Sequence, residues 1–170
     1  MDADRQSFEA YVQTRGPGLS RHAYLLTGDH HLAEDLVQQT LLRVAGRWRR
    51  VVAEGDPDAY VRRALYHQHI SWWRRRTRQV PEAPLERNDR PVPDAADAVA
   101  VNLAVRAALG RLAPRQRAAI VLRYFADLSD AQIADTLGCR VGTVKSQLRD
   151  GLARLRVLAP ELVDLLEVRS

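Results

Sequence analysis

The sequence predicts an all-α protein built of two small helical domains that a proline-rich linker joins. Apolar residues recur at steps of three and four along most of the chain, which is the period of a helix buried on one face. The sequence shows no strand-like alternation bounded by hairpin turns. Residues 78–94, RQVPEAPLERNDRPVPD, hold four of the eight prolines, and proline resists helix because it lacks a backbone N–H. We therefore expect a first domain at 1–80, a flexible linker at 81–95 and a second domain at 96–170.

Composition favours a globular protein with an anionic partner. Hydrophobic residues make up 46% of the 170 residues, and 26 Lys and Arg against 21 Asp and Glu give a formal net charge of +5. Such a basic chain suits nucleic acid or an acidic protein surface. Cys139 is the single cysteine, which excludes an intramolecular disulfide and a cysteine-built zinc site. Because no secretory signal and no apolar run of about 20 residues is found, we expect a cytoplasmic protein that does not bind a membrane.

The first domain is predicted to contain two helices before a long basic one. Ser7 can cap the first helix. The sequence GPG at 16–18 is expected to kink or break that helix, because proline removes a helical hydrogen bond. The second helix is predicted at about 31–48. Its apolar stripe consists of Ala33, Val37, Leu41, Val44 and Trp48.

The third helix carries arginines beside two tryptophans. VVAEGDPD at 51–58 is predicted to be a loop, and Asp58 can cap a helix that runs through SWWRRRTR at 71–78. Trp72 and Trp73 point about 100° apart, so the two indoles cannot share one face. At least one indole is therefore expected in the core. The other can stack on an unpaired base while the arginines hold phosphates, and periodicity leaves open which does which.

The sequence HHLAEDLVQQTLL at 30–42 allows a metal site, which we discount. His30 and Glu34 are four residues apart, as are His31 and Asp35. Without a second cluster, such residues are more often a helix N-terminus whose acids complement the dipole. We expect no metal and no cofactor. The outward side of this helix instead forms a mixed polar and apolar surface suited to a protein partner, consisting of Asp35, Gln38, Gln39 and Leu42.

The second domain is predicted to begin with two helices and to end with a longer one. The stripe of the first helix is Val101, Val105, Ala108 and Leu112. Pro114 suits the first turn of the next helix. The inner face of the last helix is expected to consist of Val141, Val144, Leu148, Leu152 and Leu155.

That last helix completes a helix-turn-helix pattern. Ser129 and Gln132 form a capping box for a short helix, Gly138 is a natural stop, and the next helix begins almost at once. The alternative, a solvated face on an ordinary helical hairpin, does not explain this combination. A recognition helix meets base edges and phosphates with its N-terminal half. The candidate DNA contacts are Thr143, Lys145, Ser146, Gln147 and Arg149.

The sequence offers little for catalysis. Cys139 lies in the predicted turn without an evident base, and no glycine-rich phosphate loop follows a strand. His67 and His69 are isolated on a basic helix. We predict that the protein is not an enzyme.

Three blocks of sequence resemble, in the same order, regions 2.2, 2.4 and 4.2 of extracytoplasmic-function sigma factors of the sigma-70 family. A helix-turn-helix alone is weakly specific, whereas three regions in order are strongly specific. SWWRRR and GTVKSQ are most similar to the short actinobacterial SigE-like group. The blocks are AEDLVQQTLLRV at 33–44, AYVRRALYHQHISWWRRR at 59–76 and LSDAQIADTLGCRVGTVKSQLRDGLARLR at 128–156.

The resemblance implies an alternative sigma factor, which binds core RNA polymerase, directs it to particular promoters and helps to open them. The first domain would be sigma-2 and would dock Asp35, Gln38, Gln39 and Leu42 on the β′ clamp helices. The second would be sigma-4, with its recognition helix in the major groove of the minus-35 element and a contact to the β flap. An anti-sigma factor is a further candidate partner, and the free chain is expected to be a monomer.

The resemblance also implies a minus-10 site on the first domain. The loop at 51–58 would capture a flipped base, and the helix beside it would contribute His67, Trp72, Trp73, Arg74, Arg75 and Arg76. Two positions depart from the family, because His67 replaces a usual asparagine and Asp150 replaces a basic or neutral residue. Asp150 argues against a phosphate contact at that position. The alternative function is a stand-alone helix-turn-helix transcriptional regulator that does not join polymerase.

Overall fold

A computed structural model of the chain describes residues 2–79 and 96–168. Within these ranges the regular structure is entirely helical, which confirms the all-α prediction. The predicted linker at 81–95 lies outside the described residues. The first helices are α1 (Asp2–Thr27), α2 (His30–Ala45), α3 (Trp48–Ala53) and α4 (Pro57–Gln79). The others are α5 (Ala96–Gly110), α6 (Pro114–Tyr124), α7 (Asp130–Leu137), α8 (Val141–Leu158) and α9 (Pro160–Val168).

Helix α1 continues through GPG at 16–18, so the predicted break is wrong. Pro17 deprives the helix of one hydrogen bond and crowds the carbonyl four residues earlier. Side chains on both sides of it are nevertheless fixed by packing, since Phe8 lies against the core and Leu19 and Leu26 are buried in it. This tertiary packing outweighs the local cost of the proline.

Trp48 begins a separate helix, which corrects two predictions. Helix α2 ends at Ala45 rather than at 48, and α3 makes the first three residues of the predicted loop helical, so that only 54–56 lie between helices. The Trp48 side chain turns inward, with its ring centroid 5.2 Å from that of Phe8 and 4.9 Å from that of Tyr11. Its indole N–H donates to Ser7 Oγ at 3.2 Å. The chain bends at this point because the indole packs against α1.

The cap of α4 is Asp56 rather than Asp58. Asp56 Oδ1 accepts a hydrogen bond from the Ala59 N–H at 2.9 Å, and Pro57 occupies the first helical position, where its missing N–H costs nothing. Asp58 instead forms a 2.9 Å ion pair with Arg15 of α1. The two aspartates therefore hold the start of α4, one locally and one against α1.

The helix-turn-helix forms as predicted at its caps. The Gln132 N–H donates to Ser129 Oγ at 3.2 Å, the Ser129 N–H donates to Gln132 Oε1 at 2.9 Å, and Gly138 has a left-handed φ of 65°. Helix α8 buries Val144 and Leu155 and half-buries Leu148 and Leu152. Val141 is 40% exposed, so its predicted place on the inner face is wrong. As the first residue of α8, it lies before the helix reaches its neighbours.

The core runs through both halves of the described chain. Helices α1, α2 and α4 pack together, and α6, α7 and α8 form a second group. Helix α4 joins the groups because it also contacts α6 and α7, while α1 contacts α5 and α6. No helix within 2–79 or 96–168 is long and apolar enough to cross a bilayer.

Candidate nucleic-acid interface

The start of α8 presents the predicted DNA contacts with unequal exposure. Lys145 and Arg149 are exposed, whereas Thr143, Ser146 and Gln147 are half-buried. The Ser146 hydroxyl donates to the Gly142 carbonyl at 2.8 Å, so its proton is used within the helix. Lys145 and Arg149 are therefore the side chains of this set that are most accessible to a partner.

Asp150 has a structural role that the sequence did not reveal. Its carboxylate accepts a hydrogen bond from Arg149 Nε at 3.0 Å, and both side chains are largely exposed. An exposed ion pair of this kind adds little to stability. Asp150 is thus the partner of a candidate DNA contact, and its carboxylate offsets part of the charge of Arg149.

Gly151 allows α8 to lie close to α6. A methyl group at this buried glycine would lie 3.2 Å from Cγ1 of Ile120 and 3.5 Å from Cβ of Gln116. A larger side chain would push the two helices apart. The position of the recognition helix therefore depends on a small residue at 151.

The predicted minus-10 residues lie on different sides of helix α4. Trp72, Trp73 and Arg76 line a cavity of about 310 Å³ between the two halves of the described chain. His67 and Arg74 line another cavity, which faces the helix-turn-helix. Arg75 Nη2 donates back to the Ser71 hydroxyl at 3.2 Å. The structure therefore does not bring the six predicted residues together on one surface.

Neither tryptophan is fully buried. Trp72 is half-buried and packs against the core, while Trp73 is 36% exposed. Of the two indoles, Trp73 is the more accessible to a base.

A groove between α2 and α4 contains residues that sequence reasoning missed. The groove side of α4 includes Tyr60, His67 and Ser71, and α2 contributes Arg43, which is followed at the corner by Arg47. Neither arginine forms an ion pair with an acid in the described part of the chain. The sequence does carry a signal for the α4 side of this groove, because Tyr60, His67 and Ser71 recur at helical spacing. We call this surface, with the residues named here, the α2–α4 groove.

Gln68 forms the floor of the α2–α4 groove. It is 3% exposed, and its Nε2 donates to Gln39 Oε1 of α2 at 3.1 Å. Its Oε1 is buried and has no hydrogen-bond partner within the described residues. A buried acceptor of this kind is costly to leave unsatisfied.

One face of α2 carries all four residues predicted to bind polymerase. Asp35, Gln38, Gln39 and Leu42 are all exposed, and Leu42 is 74% exposed. Gln38 Nε2 donates to Glu34 Oε1 at 3.2 Å. The structure therefore places a large apolar side chain among polar ones, as a protein-binding surface requires.

The cavity of about 310 Å³ contains a buried histidine. His69 of α4 is 7% exposed and faces Arg117 of α6, which is 9% exposed. Burial lowers the pKa of His69 to about 4, and the charge of Arg117 acts in the same direction. His69 is therefore neutral at pH 7. Within the described ranges, no group of three or more His, Cys, Asp and Glu side chains could hold a metal ion.

A helix-turn-helix beside a second group of helices is typical of a DNA-binding protein of transcription. Family models for Sigma-70 region 2 and Sigma-70 region 4 match residues 11–79 and 102–155. The chain is 39% identical over 155 residues to the RNA polymerase sigma-E factor of Streptomyces coelicolor, a match that covers 88% of this chain and 84% of that relative. It is 36% identical over 151 residues to the ECF RNA polymerase sigma factor SigL of Mycobacterium tuberculosis, with 85% and 84% covered. The chain therefore belongs to the extracytoplasmic-function sigma factors of the sigma-70 family.

Solved structures show the same fold. The sigma factor RpoE in complex with the anti-sigma factor NepR, from Bartonella quintana, matches with a TM-score of 0.67 at 25% identity and covers 90% of this chain and 96% of that one. CnrH in complex with the cytosolic domain of CnrY matches with a TM-score of 0.63 at 23% identity, covering 92% and 90%.

Membership of this family establishes the function that the sequence predicted. The protein is an alternative sigma factor, which binds core RNA polymerase and directs promoter recognition and transcription initiation. Sigma factors are initiation factors and not enzymes, which confirms that prediction. The stand-alone regulator is disfavoured because the chain carries region 2 as well as region 4.

Proposed function

We propose that this sigma factor binds its partners through three surfaces. We also propose that it is cytoplasmic and that the free chain is a monomer. The start of α8 reads the minus-35 element, the α2–α4 groove binds the minus-10 element, and the exposed face of α2 docks on the β′ clamp helices. The observation that carries the proposal is that each surface presents exposed side chains: Lys145 and Arg149 on α8, Arg43 and Arg47 at the α2–α4 groove, and Leu42 on the outward side of α2. Residues 1–80 form its sigma-2 domain and residues 96–170 form its sigma-4 domain, with 81–95 as the linker between them.

The minus-35 surface consists of Thr143, Lys145, Ser146, Gln147 and Arg149. Lysine, arginine and glutamine can bond purine edges in the major groove, and the first turn of a helix suits a phosphate. The exposure of Lys145 and Arg149 supports this assignment.

Replacing Lys145 with alanine is expected to cost about 1–3 kcal/mol on the cognate minus-35 sequence if the ammonium bonds a base. Equilibrium binding of the holoenzyme to labelled duplexes measures the loss. Arg154→Ala is the matched control, because Arg154 is exposed on the same helix about two and a half turns further on. Equal losses on cognate and scrambled duplexes would make Lys145 a phosphate contact and contradict base reading.

The minus-10 element is proposed to lie along the α2–α4 groove. Single-stranded DNA binds where cations follow the backbone and aromatic rings stack on bases. Arg43 and Arg47 supply the cations and Tyr60 the ring, beside His67. At the end of α4, Arg74, Arg75 and Arg76 hold phosphates further along the strand, and Trp73 is the indole that can reach a base. Trp72 then acts by packing α4 against the core.

The exposed face of α2 is proposed to bind core polymerase. A double variant, Gln38→Ala with Leu42→Ala, is expected to weaken core binding about tenfold or more, because burying a leucine contributes about 1.5–3 kcal/mol. Competition with a labelled sigma factor for purified core measures the change. Val52→Ala is the control, since Val52 is an exposed apolar residue of α3. Unchanged affinity of the double variant would refute the assignment.

Assembly with core polymerase tests the proposed function as a whole. The chain is mixed with purified core, the complex is isolated by size exclusion, and promoter duplexes are selected from a randomised pool by binding to that complex. We expect co-elution with core and run-off transcripts from the selected duplexes. A chain that binds a selected duplex tightly but never co-elutes with core would overturn the proposal.

Two further partners are proposed with less detail. The second half is expected to contact the β flap in the holoenzyme. An anti-sigma factor is proposed because the similar sigma factor RpoE is seen in complex with one. Co-purification of the tagged chain from its native cell extract, followed by mass spectrometry, tests for an anti-sigma factor. Chemical cross-linking of the holoenzyme before mass spectrometry tests the contact with the β flap.

A further inference from the structure

The cavity of about 310 Å³ beside His69 has the size and lining of a small-molecule site. Ligand sites in proteins measure about 300–1,000 Å³ and are lined mainly by apolar and aromatic side chains, with a few polar groups that orient the ligand. We call this space the His69 cavity. Its volume lies at the lower end of that range, so it suits a small ligand. The apolar part of its lining consists of Leu26, Leu32, Trp72, Trp73, Leu112 and Pro114.

Helix α4 forms one wall of the His69 cavity. Four of its residues line the cavity at successive steps of three, one and three, which is the spacing of one side of a helix. Because each residue turns the helix by about 100°, the two indoles lie about 100° apart, with the other two side chains between them. The indoles therefore flank a polar pair. The four residues are His69, Trp72, Trp73 and Arg76.

His69 brings an unused hydrogen-bonding group to the cavity. Its side chain is 7% exposed, and neither ring nitrogen has a hydrogen-bond partner within residues 2–79 and 96–168. Because burial lowers its pKa to about 4, the ring is neutral at pH 7, and a neutral imidazole has one donor and one acceptor nitrogen. A buried donor without a partner is costly. A ligand oxygen that accepts this N–H is therefore favoured in the cavity.

The charged groups of the lining favour an anion. Among the described residues, two guanidinium groups line the cavity, those of Arg76 and Arg117, with the single carboxylate of Asp29. Asp29 Oδ1 already accepts the Leu32 N–H at 2.9 Å. Arg76 is exposed and forms no ion pair with an acid in the described part of the chain. Positive charge therefore exceeds negative charge around the cavity.

Arg117 supplies a positive charge that is largely shielded from water. It is 9% exposed, and its charge acts on His69 across the cavity lining. Gly28, with a left-handed φ of 70°, leaves room for it, because a methyl group there would lie 3.3 Å from Arg117 Nη2. Hydrogen bonds between a guanidinium and a carboxylate are about twice as strong as those between neutral groups. A carboxylate is therefore the anion that this lining suits.

We propose that the His69 cavity binds a small aromatic carboxylate, with its ring between the indoles of Trp72 and Trp73 and its carboxylate at Arg117 and His69. Aromatic pairs gain stability beyond the area that they bury. A DNA base fits this lining less well, because it is uncharged and gains less from the guanidinium of Arg117. Binding at this cavity requires neither polymerase nor promoter, so it does not depend on the proposed promoter contacts.

Isothermal titration of the full chain with cinnamate and with cinnamamide tests the proposal. The two probes share one ring and one length, and they differ in charge. We expect one cinnamate to bind per chain with a Kd below about 1 mM. Cinnamamide is expected to bind at least about fivefold more weakly, because the charge-assisted hydrogen bonds are lost. An absence of saturable cinnamate binding, or equal affinity for the amide, would overturn the proposal.

The three tryptophans of the chain locate the bound probe. Trp72 and Trp73 line the His69 cavity, whereas Trp48 does not. In nuclear magnetic resonance spectra of the labelled protein, cinnamate is expected to shift the indole N–H signals of Trp72 and Trp73 along one saturation curve. The Trp48 signal is expected to stay in place. Shifts confined to Trp48, or equal shifts of all three signals, would contradict binding in the cavity.

Deoxyadenosine is the probe for a base-binding pocket. It carries a purine base and no charge, so we expect it to bind more weakly than cinnamate. If it bound as tightly as cinnamate and shifted the same two indole signals, the cavity would be a pocket for a base and the proposal would be wrong.

A charge-removing variant tests the cationic part of the lining. Arg76→Ala removes an exposed guanidinium from the cavity and is expected to weaken cinnamate binding at least about threefold. Arg78→Ala is the matched control, because Arg78 is exposed on the same helix and does not line the cavity. Equal affinities of the two variants would contradict the role of Arg76.

Two variants of the inner lining complete the test. His69→Phe keeps a ring and removes its N–H, so it is expected to weaken cinnamate binding at least about threefold. Leu32→Trp fills the cavity and is expected to abolish binding. Circular dichroism shows whether each variant is folded. A folded Leu32→Trp protein that binds cinnamate as the wild type does would refute the site, and Arg76→Ala, which changes an exposed residue, tests it if the inner variants do not fold.

Discussion

Replacing Trp48 with alanine is expected to lower the free energy of unfolding by about 3–5 kcal/mol, the range found for large aromatic residues in cores. Trp48 is 5% exposed and packs between Phe8 and Tyr11 of α1. The truncation leaves a cavity where the corner between α2 and α3 meets α1, and helices on both sides have to collapse to fill it. Urea unfolding followed by circular dichroism measures the loss.

Two further variants separate the packing of the Trp48 ring from its hydrogen bond. Ser7→Ala removes the acceptor of the indole N–H and is expected to cost about 0.5–1.5 kcal/mol. Trp48→Phe keeps most of the ring contact and is expected to fall between Ser7→Ala and Trp48→Ala. A loss below about 1 kcal/mol in Trp48→Ala would show that the corner is not anchored by this ring.

Trp48 also links stability to the proposed minus-10 site. Arg47, which precedes it, lines the α2–α4 groove, and its position depends on the bend that Trp48 fixes. In Trp48→Phe the bend is retained, so we expect promoter opening to be less affected than in Trp48→Ala at a temperature where both variants are folded.

Features whose causes are local could be predicted from the sequence. Three features of this kind depend only on residues that are close in sequence. They are the capping box of Ser129 and Gln132, the left-handed conformation of Gly138 and the place of Pro114 in the first turn of α6. Features that depend on distant contacts were predicted wrongly. Pro17 does not break α1 because packing on both sides holds it, and Trp48 starts a new helix because its ring binds α1.

In the candidate site, too, local features could be predicted from the sequence and features that depend on helix packing could not. The face of α8 follows from the period of one helix, so its DNA contacts could be proposed from the sequence alone. The minus-10 residues are spread around α4, and which of its sides faces α2, α6 or α7 depends on how the helices pack. The α2–α4 groove combines Arg43 with His67, which are distant in sequence, so no single helical period brings them together.

Acidification from pH 7.5 to pH 5.5 is expected to remove about 1.4 kcal/mol of stability through His69 alone. The pKa of this histidine is about 4 in the folded protein, against an ordinary value of 6.5. Well above pH 6.5, His69 is neutral in both the folded and the unfolded protein, so its contribution to stability is fully present. Between pH 6.5 and 4 the unfolded chain takes up a proton that the folded chain does not, at about 1.4 kcal/mol per pH unit. The total loss approaches about 3 kcal/mol near pH 4.

The groups around His69 do little to stabilise its protonated form. Arg117 faces it from α6, and the cavity is also lined by His31 of α2 and Arg76 of α4. Asp29 is the single carboxylate among the described residues that line this cavity, and its Oδ1 already accepts the Leu32 N–H at 2.9 Å as the cap of α2. Protonated His69 would therefore be buried beside the positive charge of Arg117.

Urea unfolding of the wild type and of His69→Gln at both pH values measures this effect. We expect the pH-dependent loss of stability to be smaller by about 1.4 kcal/mol in the variant, because glutamine binds no proton in this range. His67→Gln, on the exposed side of the same helix, controls for the loss of an imidazole. An identical pH dependence in wild type and His69→Gln would exclude His69 as its source.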